Sequence, residues 1–254
     1  MKRYIKNRLL ASAAVMTLCG LSACIDETVP TDEATPATIK TDSKSLSYLA
    51  NSLPSFLTTW NTYNSGDYTQ DWGYPCQMYM RDLLCADFPQ SDNSFNYWDY
   101  IEDGSSLRYA YYYTFYYYYV FIKNANGVIS VGKDAVDGGN EAAKKYLGQG
   151  YGYRAMLYLD MERLFEYKKT GVSYLDKQAD SIGCMGITIP IVTEKTSKVE
   201  LKNNPCAPFY TMNRFIMTDL DRAEENLAGY NREHKAFMDQ SVIYGLKTRL
   251  WLDM

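Results

Sequence analysis

An all-α fold with a long aromatic loop and minor short β segments is what this sequence predicts, and three stretches predict it. In Glu141 to Lys168 the residues Ala143, Tyr146, Leu147, Gly150, Tyr153, Leu157, Met161 and Leu164 recur at steps of three and four, one face of a 3.6-residue helix. After Pro208, the residues Phe209, Met212, Ile216, Leu220, Ala223 and Leu227 repeat the pattern with Asp219, Asp221, Glu224 and Glu225 opposite. In Ser241 to Leu252, Ile243, Leu246 and Leu250 align in the same way. The expected core is therefore built from residues 141–165, 208–227 and 241–252.

The first of these helices anchors the prediction. Its other face carries Lys144, Lys145, Asp160, Glu162 and Lys169 and is expected to stay in water. Gly148, Gly150 and Gly152 sit inside it, each costing about 1 kcal/mol against alanine, so close approach of neighbouring helices is the expected compensation. A phosphate-cradling loop needs a preceding strand and G-x-G-x-x-G spacing; here the spacing is G-x-G-x-G after a helical segment.

From the start of the chain, Lys2, Arg3, Lys6 and Arg8 form a basic region before an uncharged run, Leu9 to Leu21, too short to span a bilayer. Residues 1–23 read as a signal peptide. Leu21-Ser22-Ala23-Cys24 is similar to a bacterial lipobox, so Cys24 is the expected lipidated residue; Asp26 and Glu27 just after it resemble a surface-export signal. Residues 24–43, rich in Thr, Pro, Asp and Glu, cannot bury enough surface to offset ordering and form a tether. Residues 44–254 form the folded domain.

Ser45 to Tyr63 has helical spacing through Leu46, Leu49, Leu53 and Leu57, with Pro54 kinking or splitting it. Another helix begins near Pro75 and includes Arg81. Asp87 to Gly104 is a polar loop that strands Asn96, Tyr97, Trp98, Asp99 and Tyr100 among turn residues. Leu107 to Lys123 is tyrosine on every face; its length suits a buried helix better than a strand, with a stop near Asn124 to Gly127. Met185 to Val192 alternates β-branched residues, and Pro190 restricts it to an edge. Thr193 to Pro208 reads as a loop. The chain stops inside the last helix without a cap, as a truncated chain would.

Composition narrows the function. A net charge of −4 with Lys and Arg interspersed gives no basic stripe, which excludes nucleic acid as the partner. One histidine, His234, in a polar stretch and no CxxC pair speak against zinc, and no cofactor motif is present. Past the signal and Cys24, the cysteines Cys76, Cys85, Cys184 and Cys206 allow three disulfide pairings, which sequence cannot choose among. The unusual quantity is 25 tyrosines. A flat apolar ring with a polar tip suits sugar rings and interfaces as well as packing.

Taken in order, the lipobox, the aromatic loop before a tyrosine-rich helix, Tyr151 to Phe165, Gly186 to Glu194 and the Asp219-Leu220-Asp221-Arg222-Ala223-Glu224 segment resemble the SusD/RagB family of Bacteroidetes outer-membrane lipoproteins. The resemblance implies tetratricopeptide-like helix pairs and a glycan-binding lid on a SusC-type TonB-dependent transporter. Family members are longer, so this chain resembles their N-terminal part. Only the place of the binding loop transfers, between the Arg81 helix and the tyrosine-rich helix.

The expected ligand is an oligosaccharide. Aromatic faces stack on its C–H surfaces, and Arg81, Asp87, Asn96 and Asp99 hydrogen-bond its hydroxyls beside Tyr97, Trp98 and Tyr100. The alternative is a structural or adhesive surface lipoprotein whose loop aromatics pack on their own domain. A glycoside hydrolase needs two carboxylates flanking a cleft; acidic residues are plentiful here but no catalytic motif accompanies them, so no enzyme is expected.

Overall fold

The computed structural model describes residues 43–58, 73–83 and 107–254. The signal peptide, Cys24, the tether up to residue 42 and the aromatic loop with Asp87 and residues 96–100 lie outside them. In chain order the elements are α1 (Ser43–Ser55), α2 (Tyr74–Leu83), α3 (Leu107–Asp137), a 3-10 turn (Glu141–Ala143), α4 (Lys144–Phe165), α5 (Ser173–Ser181), β1 (Ile187–Pro190), α6 (Lys198–Lys202), β2 (Cys206–Pro208), α7 (Phe209–Asn226) and α8 (Gln240–Asp253). Helices dominate, as the periodicity predicts.

Helix α4 lies between α3 and α7, its two most extensive partners. The glycines make this possible. A Cβ on Gly148 would stand 2.6 Å from Leu227 Cγ, one on Gly150 2.8 Å from Ile129 Cγ1, and one on Gly152 2.7 Å from Met238 Sδ. Residues 148 and 152 share one face and 150 the other, so hydrogen in place of methyl admits α7 and the segment before α8 on one side and α3 on the other.

Packing on both sides also overturns the expected watery face of α4. Asp160 and Glu162 are fully buried, because α2 and α8 cover Asp160 and α7 covers Glu162. Each acid meets donors there: Tyr74, Arg81 and Arg249 for Asp160, and Asn213 for Glu162.

The tyrosine-rich segment is a helix, as expected, but runs to Asp137, past the stop expected at Asn124 to Gly127. Ala125, Val128, Ile129, Val131 and Ala135 extend the buried stripe. The polar residues that suggested an end have partners instead: Asn124 donates to Ser52 Oγ at 2.9 Å and Asn126 to the Val192 carbonyl at 3.1 Å. The chain breaks at Gly138 and Gly139, the latter with φ 90°.

Helix α1 ends one residue after Pro54 and buries Leu46, Ala50 and Leu53. The extended segment is β1, with β2 as its antiparallel partner: Ile187 opposes Pro208, and Pro190 opposes Cys206. β2, the one-turn α6 and α5 occupy stretches expected to be loop or polar connection. Short range explains the omission: α6 is set by a capping box in which Ser197 accepts from the Glu200 N–H and Glu200 from the Ser197 N–H, and β2 by its partner across a loop. Pro208 caps α7 rather than opening it. Cys184 and Cys206 are free thiols, and His234 is exposed in a turn, where its Nδ1 accepts from the Ala236 N–H.

Candidate functional site

Of the residues expected to bind glycan, Arg81 lies among those described. It sits in the last turn of α2, its Nη1 3.4 Å from Asp160 Oδ1 and 3.8 Å from Met78 Sδ. Asp87, Asn96, Tyr97, Trp98, Asp99 and Tyr100 belong to the connection between Leu83 and Leu107, outside the described residues, as does Cys24. The ends of that connection are fixed: it leaves the C-terminus of α2 and returns at the N-terminus of α3.

Just inside that return point, α3 presents aromatics to solvent. Tyr111, Tyr112, Phe115 and Tyr116 are exposed, Tyr112 at 63% and Tyr116 at 48%. Spacing of i and i+4 puts Tyr112 and Tyr116 above one another, their rings 6.3 Å apart and within 2° of parallel. Phe115 leans on Tyr119 at 4.4 Å, and Phe165 at the end of α4 closes the edge, perpendicular to Phe115 at 5.8 Å and 6.1 Å from Tyr111. Phe165 thus holds the inner rings, Tyr111 and Phe115.

Under this strip is a crevice of about 20 Å³ where Gln77 and Arg81 of α2 face Tyr111 and Thr114 of α3 and Phe165 of α4. That volume admits one hydroxyl-sized group. Gln77 is buried and its Oε1 has no hydrogen-bond partner among the described residues. The strip and crevice together are mainly apolar, with Met80, Leu164 and Phe165 in the lining and Gln77, Arg81 and Thr114 as its few polar residues. Sequence periodicity could not separate the outward tyrosines from Tyr117 and Tyr118, which are fully buried one and two positions after Tyr116, because tyrosine occupies both faces.

Behind the crevice the polar groups are tightly paired. Asp160 Oδ2 accepts from the Tyr74 hydroxyl at 2.6 Å, and Oδ1 faces both Arg81 and Arg249 at 3.4 Å. Burial, then the Asp160 charge, pushes the Tyr74 pKa up, so it stays a donor.

A second charged cluster centres on Arg154, 1% exposed. Its Nε and Nη2 hold Asp219 in a fork at 2.6 and 2.9 Å, while Nη1 reaches Asn126 Oδ1 and Glu194 Oε2, both at 2.7 Å. Burial alone would lower the Arg154 pKa, but hydrogen bonds and charge from Asp219 and Glu194 raise it further. Burial likewise leaves Asp219 raised despite Arg154, and Arg154 outweighs burial at Glu194, which is lowered. This cluster joins α3, α4, α7 and the turn after β1, a structural knot between elements. Among the described residues no group of His, Cys, Asp or Glu could hold a metal ion.

No protein-family model and no curated protein sequence matches the chain. Solved structures do. A SusD-like carbohydrate binding protein from Bacteroides vulgatus superposes with a TM-score of 0.62 at 20% identity, over 82% of this chain and 41% of that one. A SusD-like protein from Bacteroides fragilis gives 0.55 at 17% identity, over 88% and 37%. A SusD superfamily protein from Bacteroides thetaiotaomicron gives 0.51 at 12% identity, over 83% and 42%. The chain therefore spans about two fifths of the length of the structures it matches. With helices predominant, α4 clasped between α3 and α7, and these superpositions, the chain has the SusD-like fold.

Proposed function

We propose that the chain is part of a lipid-anchored outer-membrane protein that binds an oligosaccharide at the α2–α3 end and delivers it to a SusC-type TonB-dependent transporter. The observation that carries this reading is the exposed, parallel Tyr112 and Tyr116 pair beside the Gln77 and Arg81 crevice, at the root of the Asp87 to Gly104 loop. Pyranose C–H faces stack on such rings, and the ring hydroxyls need donors and acceptors of this kind at the edge. The signal peptide and the lipobox at Cys24 support export and anchoring. One of the structures that share the fold is described as carbohydrate binding. Transporter partnership rests on the SusD/RagB resemblance.

A glycan array followed by calorimetry on the full-length protein tests the reading. Trp98→Ala, and separately Tyr112→Ala with Tyr116→Ala, should each weaken binding by about 1 to 3 kcal/mol without lowering the thermal midpoint, since each removes a stacking face. Unchanged affinity in both variants moves the site away from this end. A protein that binds no glycan at all is the adhesive or structural lipoprotein instead.

A further inference from the structure

Arg81 Nη1 and Arg249 Nη2 stand at the same distance, 3.4 Å, from one oxygen, Asp160 Oδ1, so they lie less than twice that distance apart. The other Asp160 oxygen is taken by Tyr74. Among the described residues, two guanidiniums against one carboxylate leave a positive charge over, in a chain whose net charge is −4. Other clusters among the described residues carry no such excess: Arg154 and Arg222 face Asp219 and Glu194, and Lys247 faces Asp221 and Glu224. Each guanidinium carries five N–H donors and spends one on Asp160. Arg81 Nη1 also meets Met78 Sδ at 3.8 Å, and with Arg249 41% and Arg81 21% exposed, part of the pair faces solvent. Tyr118 is fully buried within electrostatic reach of Asp160, Tyr74 and Arg81, and its hydroxyl has no partner among the described residues.

We infer that Arg81 and Arg249 form the receptor for an anionic group, a carboxylate or a sulfate, and that the ligand is an acidic glycan. The sugar half of this inference rests on the function proposed above; the anion half does not. Guanidinium forks match the two oxygens of a carboxylate or sulfate in a way a lone ammonium does not. Arg81 lines the crevice with Tyr111 and Phe165. Because the crevice admits no more than a hydroxyl-sized group, the acidic substituent of a sugar lying on the aromatic strip meets the guanidinium pair from its solvent side.

The test has two arms on the full-length protein. In the first, arginine Nε resonances, assigned with Arg81→Gln and Arg249→Gln, are followed by NMR during addition of inorganic sulfate, galacturonate and galactose. Both resonances should move with the two anions and stay still with galactose, and Arg81→Lys should blunt the response because it keeps the charge and loses the fork. In the second, calorimetry compares an oligogalacturonate with a neutral galacto-oligosaccharide. The acidic ligand should bind at least about tenfold tighter in low salt, with the difference lost in Arg249→Gln and thermal melts showing both variants folded. Resonances unmoved by sulfate and galacturonate overturn the inference, and so does equal affinity for the acidic and neutral oligosaccharides. If the anions shift the resonances while neither oligosaccharide binds, the anion site stands and the glycan reading falls.

Discussion

Arg154 is a cation that holds a core together. Its fork to Asp219 and its bonds to Asn126 and Glu194 use four of five donors inside the protein. Arg154→Met would leave the buried Asp219 only the half-exposed Arg222 at 3.8 Å, so the loss should be about 3 to 5 kcal/mol in chemical denaturation. A loss under about 1 kcal/mol would mean the knot does not hold these elements. The sequence carried a signal for it: Arg154 is four residues from Gly150 and three from Leu157, on the apolar stripe itself, as Asp160 is relative to Leu157 and Leu164. A charge on a stripe marks a buried partner elsewhere, but Asp219, distant in sequence, was unidentifiable without the fold. Glu162 is the other buried acid. Burial first, then the neighbouring Glu166 and Asp253 charges, against a hydrogen bond from Asn213, pushes its pKa from 4.5 to about 7. A folded value above the unfolded one means the proton stabilises the fold: the contribution is complete below pH 4.5 and lost as pH rises through about 7. Glu162→Gln should therefore keep its thermal midpoint across that window while the native protein declines. Parallel pH curves for the two would show that Glu162 does not titrate there.

Among the elements, long periodic helices were legible and short ones were not. α4, α7 and α8 declared themselves through repeats of three and four because each buries a stripe several turns long. α5, α6 and β2 have one or two turns, or three residues, and are set by capping and by a strand partner, which local spacing does not report. The α3 stop was misplaced because Asn124 and Gly127 look like breakers until Ser52 and the continuing apolar stripe are in view. Two glycines separate propensity from packing. Gly127 has nothing within 4 Å of its added Cβ, so Gly127→Ala should stabilise the protein by up to about 1 kcal/mol. Gly150→Ala gains the same propensity but drives a methyl to 2.8 Å from Ile129 Cγ1 and 3.3 Å from its backbone nitrogen. Overpacking costs about 1 to 3 kcal/mol, so the net change should be destabilising. Equal shifts in thermal midpoint for the two variants would refute the close-approach account.

For the whole molecule, attachment is expected through Cys24 and recognition at the α2–α3 end. No helix among the described residues is long and apolar enough to cross a membrane. Cys24→Ala should move the protein from the detergent phase to the aqueous phase, and unchanged partitioning would show a different anchor. The candidate site was half legible: Arg81 and the place of the loop came from sequence, whereas the Tyr112 and Tyr116 face and Arg249 came from three-dimensional neighbours. The tyrosines that point inward have their own consequence. Tyr117 donates to the Phe56 carbonyl, Tyr119 to Pro190, Tyr153 to Ala236 and Tyr158 to Val192, each a main-chain oxygen in a segment between helices. Such a clasp reads peptide groups and is blind to side chains. The clasped segments are therefore free to drift in sequence while keeping their course, so an architecture held this way outlasts the similarity of the sequences that build it.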